Sequence, residues 1–427
     1  MKSKYVLTIK KRSQTDLLTM VLLVFPFLFA LLIETIGLPW SIRYLMDVIW
    51  CLLLVYMVLS GRRGDQPLGI WVWMFGVYTL LTYLPQWQSP LYYLWGMRNN
   101  FRFFAAFFAF VAFLKAEDVT AYWKLFDKLF WVNMLVSLYQ FFVLGISGDW
   151  LGGLFSTEAG GNGYTNIFLL IMITKSVIFC LEKKENLISC LAKCGASLVV
   201  AAMAEMKFFY VEFVLVIAMA LLFTSFSWRK LIVILGGAIG ISVCLTIMGS
   251  IFSESVGWFT VSRILEIATS ERGYTSSGDL NRLNAIPQIN ELWLKTGWQR
   301  AFGLGLGNCD TSSFAALNTP FYESYGRMHY NWFAYAMMYL ETGWIGLIFY
   351  WGFFVLAYFR IWTIERRSDA IARSYCRIAR IMAVLCVAIS IYNTSLRTEA
   401  GYMAYFVLAA PFALNNQRLR LAKIKSA

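Results

Sequence analysis

The chain has one histidine, His329, and it stands in Tyr325-Gly-Arg327-Met-His329-Tyr-Asn331. A neutral imidazole at such a place can take a proton from a hydroxyl; a purely structural role is the alternative. Upstream lie Arg263, Arg272, Asp279, Arg282, Lys295 and Arg300, then Phe302-Gly303-Leu304-Gly305-Leu306-Gly307-Asn308. An arginine there can grip phosphate with a forked pair of hydrogen bonds, or sit in a solvated ion pair. The alternating glycines allow a tight turn and close backbone approach. A third cluster is Glu205-Met-Lys207-Phe-Phe-Tyr210-Val-Glu212. Lys207 can meet an anionic headgroup or pair with Glu205 or Glu212. There is no G-x-x-x-x-G-K-[ST] run, so the chain carries no nucleotide-hydrolysis loop of that kind. Cys190 and Cys194 share a helix face without His or carboxylate neighbours, and with one histidine no metal centre is expected.

These residues depend on long apolar elements for their positions. Apolar runs fall at about 17–38, 44–60, 69–85, 99–114, 125–146, 164–181, 187–204, 208–226, 231–252, 342–360, 378–396 and 401–415. Runs of this length read as membrane helices. The expected fold is therefore an all-α polytopic membrane protein of about twelve spans. Residues 1–252 would form an N-terminal bundle of about nine spans. Residues 253–328 would form a long, partly helical periplasmic loop, with helical periodicity at 258–272 and 281–296. Residues 329–427 would add a short periplasmic helix, three spans and a basic tail. The exported connection 147–163 is Gly-rich and lacks bases.

Hydrophobic residues make up 59% of the chain and charged ones 14%, which excludes a soluble enzyme and a disordered chain. The net charge of +13 does not signal nucleic acid, because the bases follow topology. Twenty-three lie in the terminal segments and alternate connections, against five (Arg43, Arg98, Arg102, Lys207 and Arg397) in the opposite short connections. The positive-inside rule then places both termini in the cytoplasm and the chemistry-bearing clusters on the exported face. Lys128, Lys175 and Lys193 read as isolated charges within spans.

Taken in order, Arg282, the Gly303-Leu-Gly305-Leu-Gly307 turn, His329-Tyr-Asn331 and Glu341-Thr-Gly343-Trp-Ile-Gly346 resemble the bacterial O-antigen polymerase and O-antigen ligase superfamily. The motifs cover about residues 200–365, and the topology covers the whole chain. Two positions depart from the family's pattern. Met206-Lys207 stands where Ser-Arg is common, and Tyr330 separates His329 from Asn331. The run Gly278-Asp-Leu-Asn-Arg282-Leu before the glycine turn looks more like the repeat-unit polymerases than the ligases.

The resemblance implies a GT-C-like glycosyltransferase of the bacterial inner membrane. Its donor would be a glycan on undecaprenyl diphosphate, and its acceptor a second lipid-linked repeat unit. In a ligase, the acceptor would be lipid A–core. It implies His329 as general base or acceptor-orienting group. Arg282, with Lys207, Arg263 and Arg327, would stabilise the leaving diphosphate. Arg98, Arg102 and Arg397 would contact that diphosphate or snorkel to the interface. Asn331, Glu212, Glu341, Gly303, Gly305 and Gly307 would support the site, with Glu341 holding the helix end rather than reacting. No cofactor or metal is implied. A chain-length regulator and a flippase are the implied partners, and no nucleic acid is. The rival of another class is a transporter or flippase of lipid-linked glycan, which would carry charges along the bilayer midplane.

Overall fold

The computed structural model describes residues 13–62, 64–225, 227–252 and 279–426. Arg263, Arg272, Gly278 and the periodic stretch 258–272 lie outside them. The described residues are helical, with no strand. The helices are α1 (Gln14–Val24), α2 (Leu45–Leu59), α3 (Gln66–Tyr83), α4 (Pro90–Phe113), α5 (Ala116–Phe142), α6 (Gly161–Leu181), α7 (Leu187–Met203), α8 (Lys207–Phe223) and α9 (Trp228–Ile251). After the undescribed stretch come α10 (Ala285–Leu292), α11 (Gly297–Phe302), α12 (Pro320–Tyr325), α13 (Ala334–Glu365), α14 (Ala370–Tyr392) and α15 (Gly401–Ser426).

Each of the twelve predicted apolar runs overlaps a helix. Among the described residues, six helical stretches have the length and apolarity to cross a membrane. They are Trp40–Leu59, Gln66–Gln86, Gly161–Leu181, Trp228–Ile251, Ala334–Glu365 and Ala370–Tyr392. Several boundaries differ from expectation. The first run is not one helix: α1 gives way to a 3-10 turn at Phe25–Leu28, whose Pro26 lacks an N–H, and then to a π turn at Ala30–Thr35. The periodicity at 281–296 becomes α10 followed by a bend and then α11. The short helix expected over 329–341 starts later: 3-10 turns at Gly326–Met328 and Tyr330–Trp332 precede Ala334, from which α13 runs to a break at Gly343.

A helix apolar on every side belongs inside a bundle. In α15, all residues from 401 to 413 are buried, and α6 is buried over nearly its whole length. These two helices form the centre, with α4 and α14 packed along α15. By contrast α2, α3 and α9 turn most of their apolar surface outward, as lipid-facing helices do. The connection 147–163 folds back onto the bundle. Gln140 donates to Gly153 O and accepts from Gly153 N, both at 2.8 Å, and Glu34 accepts the Thr157 backbone N–H at 2.7 Å.

Candidate functional site

Arg282 lies just after the undescribed loop. Its guanidinium carbon sits 4.2 Å from the ring centroid of Tyr392 and 5.3 Å from that of Phe333. Phe208 stacks on the same Tyr392 ring at 4.5 Å and 12°. At these distances the guanidinium and Phe208 cannot share one face, so Tyr392 separates the Arg282 segment from the Lys207 turn. Lys207 pairs with Glu205 at 3.0 Å, not with Glu212. Glu212 is fully buried and accepts from Asn166 Nδ2 at 3.1 Å.

His329 adopts a left-handed backbone (φ 55°), a region open to Asn, Asp and His more than to most side chains. Its ring stacks on Trp332 at 3.8 Å and 11°. The imidazole is partly exposed and makes no hydrogen bond among the described residues. Leu280 N donates to Met328 O at 2.9 Å, and Tyr335 Oη donates to Arg282 O. The Arg282 segment is thus tied on both sides of His329 in sequence. Arg327 is exposed. Asn331 has a buried Oδ1 that accepts no hydrogen bond among the described residues.

Below this lies a glycine lock. α13 is broken at Gly343, where φ is 64° and ψ −169°. Leu304 N donates to Leu340 O at 3.0 Å and Gly305 N to Glu341 O at 2.9 Å, so the glycine turn binds the backbone freed by the break. Buried Glu341 accepts from Cys309 N at 3.1 Å. This bond ties α13 to the residues that follow the glycine turn. Burial, with Glu341 and Asp310 nearby, pushes the Cys309 thiol well above its usual value, so it stays protonated.

A third group is an arginine network. Arg98 grips Asp47 Oδ2 through Nε (3.0 Å) and Nη2 (2.7 Å), and gives Nη1 to Asn99 Oδ1 at 2.7 Å. Arg102 is only 2% exposed; it reaches Glu399 at 3.1 Å and the Arg397 carbonyl at 2.6 Å. Arg397 pairs with Asp310 at 2.8 Å. Arg43 donates to Tyr164 Oη at 3.0 Å, and that hydroxyl donates to Glu399 at 2.7 Å. The forks of Arg98 and Arg102 are therefore committed to protein carboxylates and a carbonyl.

Sequence reasoning counted Arg43 only as a topology marker and missed Asp47, Asp310 and Glu399. A signal was present: Arg43/Asp47 and Arg98/Arg102 are i,i+4 pairs at the edges of the apolar runs at 44–60 and 99–114, where ionisable residues default to functional candidates. All three groups meet at the end of α14 and on the short connection after it, where Tyr392, Arg397 and Glu399 fall within eight residues.

Burial pushes the Glu399 carboxyl up, but the Arg102 and Arg43 cations and the Tyr164 hydroxyl outweigh it and hold it below its usual range. A carboxyl depressed in the folded state adds stability above its unfolded pKa, about 4.3, and loses it as pH falls through the lower folded value. Melting in detergent should therefore drop steeply below about pH 4. Glu399→Gln should lower Tm at pH 7 and make that acid limb shallower. An acid limb identical to the parent's would remove Glu399 from the network's stability.

Lys175 and Lys193 are not isolated, as the sequence suggested. Both donate to Asp127, and Lys193 also reaches Glu185 at 2.9 Å. Lys128 is exposed. Among the described residues, no group of three or more His, Cys, Asp or Glu side chains is placed to hold a metal ion. No protein-family model matches this chain, and no curated protein matches it.

Proposed function

We propose that this chain is a membrane glycosyltransferase that polymerises lipid-linked repeat units. It transfers glycan from undecaprenyl diphosphate to the non-reducing end of another such unit on the periplasmic face of the inner membrane. The observation that carries this reading is the placement of Arg282 on Tyr392, tied through Leu280–Met328 to the segment bearing His329. A base and a cation carried on two hydrogen-bonded segments suit attack by a sugar hydroxyl with a diphosphate leaving. Growing negative charge on the leaving group needs preorganised donors. Arg282 is assigned that role, with the Lys207 turn on the other face of Tyr392 as a second cationic element. A single direct displacement would invert the anomeric carbon.

Purified protein with lipid-linked oligosaccharide tests this. Arg282→Ala should slow transfer by about 10²–10³-fold, the usual cost of losing one such donor. Arg282→Lys should recover part of the rate, since charge survives without the fork. Lys207→Arg should retain activity. Full turnover in Arg282→Ala would remove Arg282 from the mechanism. The product separates the alternatives: ladders of lipid-linked repeats mark a polymerase, glycan on lipid A–core marks a ligase, and movement without transfer marks a flippase. Turnover in chelator tests metal independence directly.

A further inference from the structure

The opposite end of the bundle carries a second cationic site. Tyr164 of α6 joins the arginine network, whereas Lys175 lies eleven residues further on, about 16 Å along the helix axis. There α5, α6, α7 and α14 enclose a cavity of about 400 Å³. Its charged lining is Lys124, Lys175, Lys184 and Lys193 against Asp127 and Glu185, and Lys184 is already paired with Glu182 at 2.6 Å, so the remaining lining carries an excess of one positive charge. Both carboxylates are already supplied with donors. Asp127 accepts from Lys175 and Lys193, while Glu185 accepts from Lys193, Ser176 Oγ and Ser189 Oγ, each at 2.9 Å.

Donors on the cavity wall remain unspent. Lys175 is 5% exposed, and its ammonium, with three hydrogens, donates only to Asp127 among the described residues. Trp123 is 2% exposed and lines the cavity, and its indole N–H has no hydrogen-bond partner among the described residues. Lys124 stands exposed at the lip without an ion pair among the described residues. Trp123 stacks parallel to Tyr375 at 8°, which fixes the indole edge. A cavity rich in donors, saturated in its own acceptors and carrying an excess positive charge is suited to an anion with several acceptor oxygens.

We infer that this pocket binds a phosphate group, supplied by an anionic phospholipid of the leaflet at this end or by a soluble phosphate. Basic pockets between membrane helices on the cytoplasmic side commonly hold such headgroups, and the distribution of bases assigns this end to the cytoplasm. The site shares no residue with the exported-face cluster, so its test is independent of the proposed activity.

The full chain in neutral detergent would be titrated with phosphatidylglycerol, phosphatidylcholine and sodium diphosphate at constant ionic strength. Melting temperature and lipids retained in native mass spectra would be read. Phosphatidylglycerol should raise Tm and leave one retained lipid per chain, and phosphatidylcholine should do neither. Trp123→Phe, which keeps the ring and removes the N–H, and Lys124→Gln, at the exposed lip, should each weaken binding about tenfold. Protection by diphosphate alone, lost in the same variants, would support the site and assign its source to a soluble anion. Equal binding in parent and variants, or no response to either phosphate source, would overturn the inference.

Discussion

Replacing His329 by alanine should slow glycan transfer by about 10²–10⁴-fold, the range a positioned general base contributes, while the protein still folds and takes up lipid-linked substrate. His329→Asn is the sharper version. The residue holds a left-handed backbone at φ 55°, which asparagine tolerates about as well as histidine. The turn between Met328 and Tyr330 should survive, so the loss would belong to the imidazole. The ring's environment suits the role. It is anchored by stacking on Trp332 and makes no hydrogen bond among the described residues, which leaves both nitrogens for an acceptor hydroxyl. Single-turnover rates in a reconstituted system would measure the step. Parent-like rates in His329→Asn would assign His329 a structural part only and move the base elsewhere.

The second large effect concerns folding. Gly303 and Gly343 form a reciprocal contact. A Cβ on Gly303 would lie 2.3 Å from the Glu341 carbonyl carbon, and one on Gly343 would lie 2.3 Å from the Ala301 carbonyl carbon. Both residues have positive φ, and Gly343, at φ 64° and ψ −169°, lies in a region that is essentially glycine-only. Strain of about 1–3 kcal/mol would come from the backbone angle alone. The clash is with main chain, so no side chain can swing aside. The backbone bonds from Leu304 and Gly305 into the break, and the Cys309 bond to Glu341, would be disrupted together. Gly343→Ala and Gly303→Ala should each cost more than about 4 kcal/mol, the exceptional range for a point change. Each should shift the chain into aggregates on size-exclusion chromatography. Gly297→Ala is the control: it has open space around it, and its melting should stay close to the parent's. Normal melting of Gly343→Ala would mean that the break in α13 is not what holds the turn.

The apolar pattern located helices well because burial in a bundle or in lipid needs only runs of the right length. Each of the twelve runs overlaps a helix. Breaks were less legible. Pro26 is a visible reason for the end of α1, but the interruption at Gly343 shows in the sequence only as one more glycine, and it becomes a break because the Gly303 turn fills it. The same limit applies to charge. Lys175 and Lys193 stand eighteen residues apart on different helices, and nothing local reveals that Asp127 receives both.

From residues alone came the all-helical class, the arrangement of basic segments, and the choice of His329, Arg282 and Lys207 as chemistry-bearing groups. Those follow from side-chain type and hydrophobic period, which are local properties. Tertiary structure decided how each cation is used. Arg98, Arg102 and Arg397 meet Asp47, Glu399 and Asp310 across helix pairs and become a buried network, whereas Arg282 rests against the ring of Tyr392. An ion pair or a ring contact depends on which helices lie side by side, and that is set by packing among many interchangeable apolar surfaces.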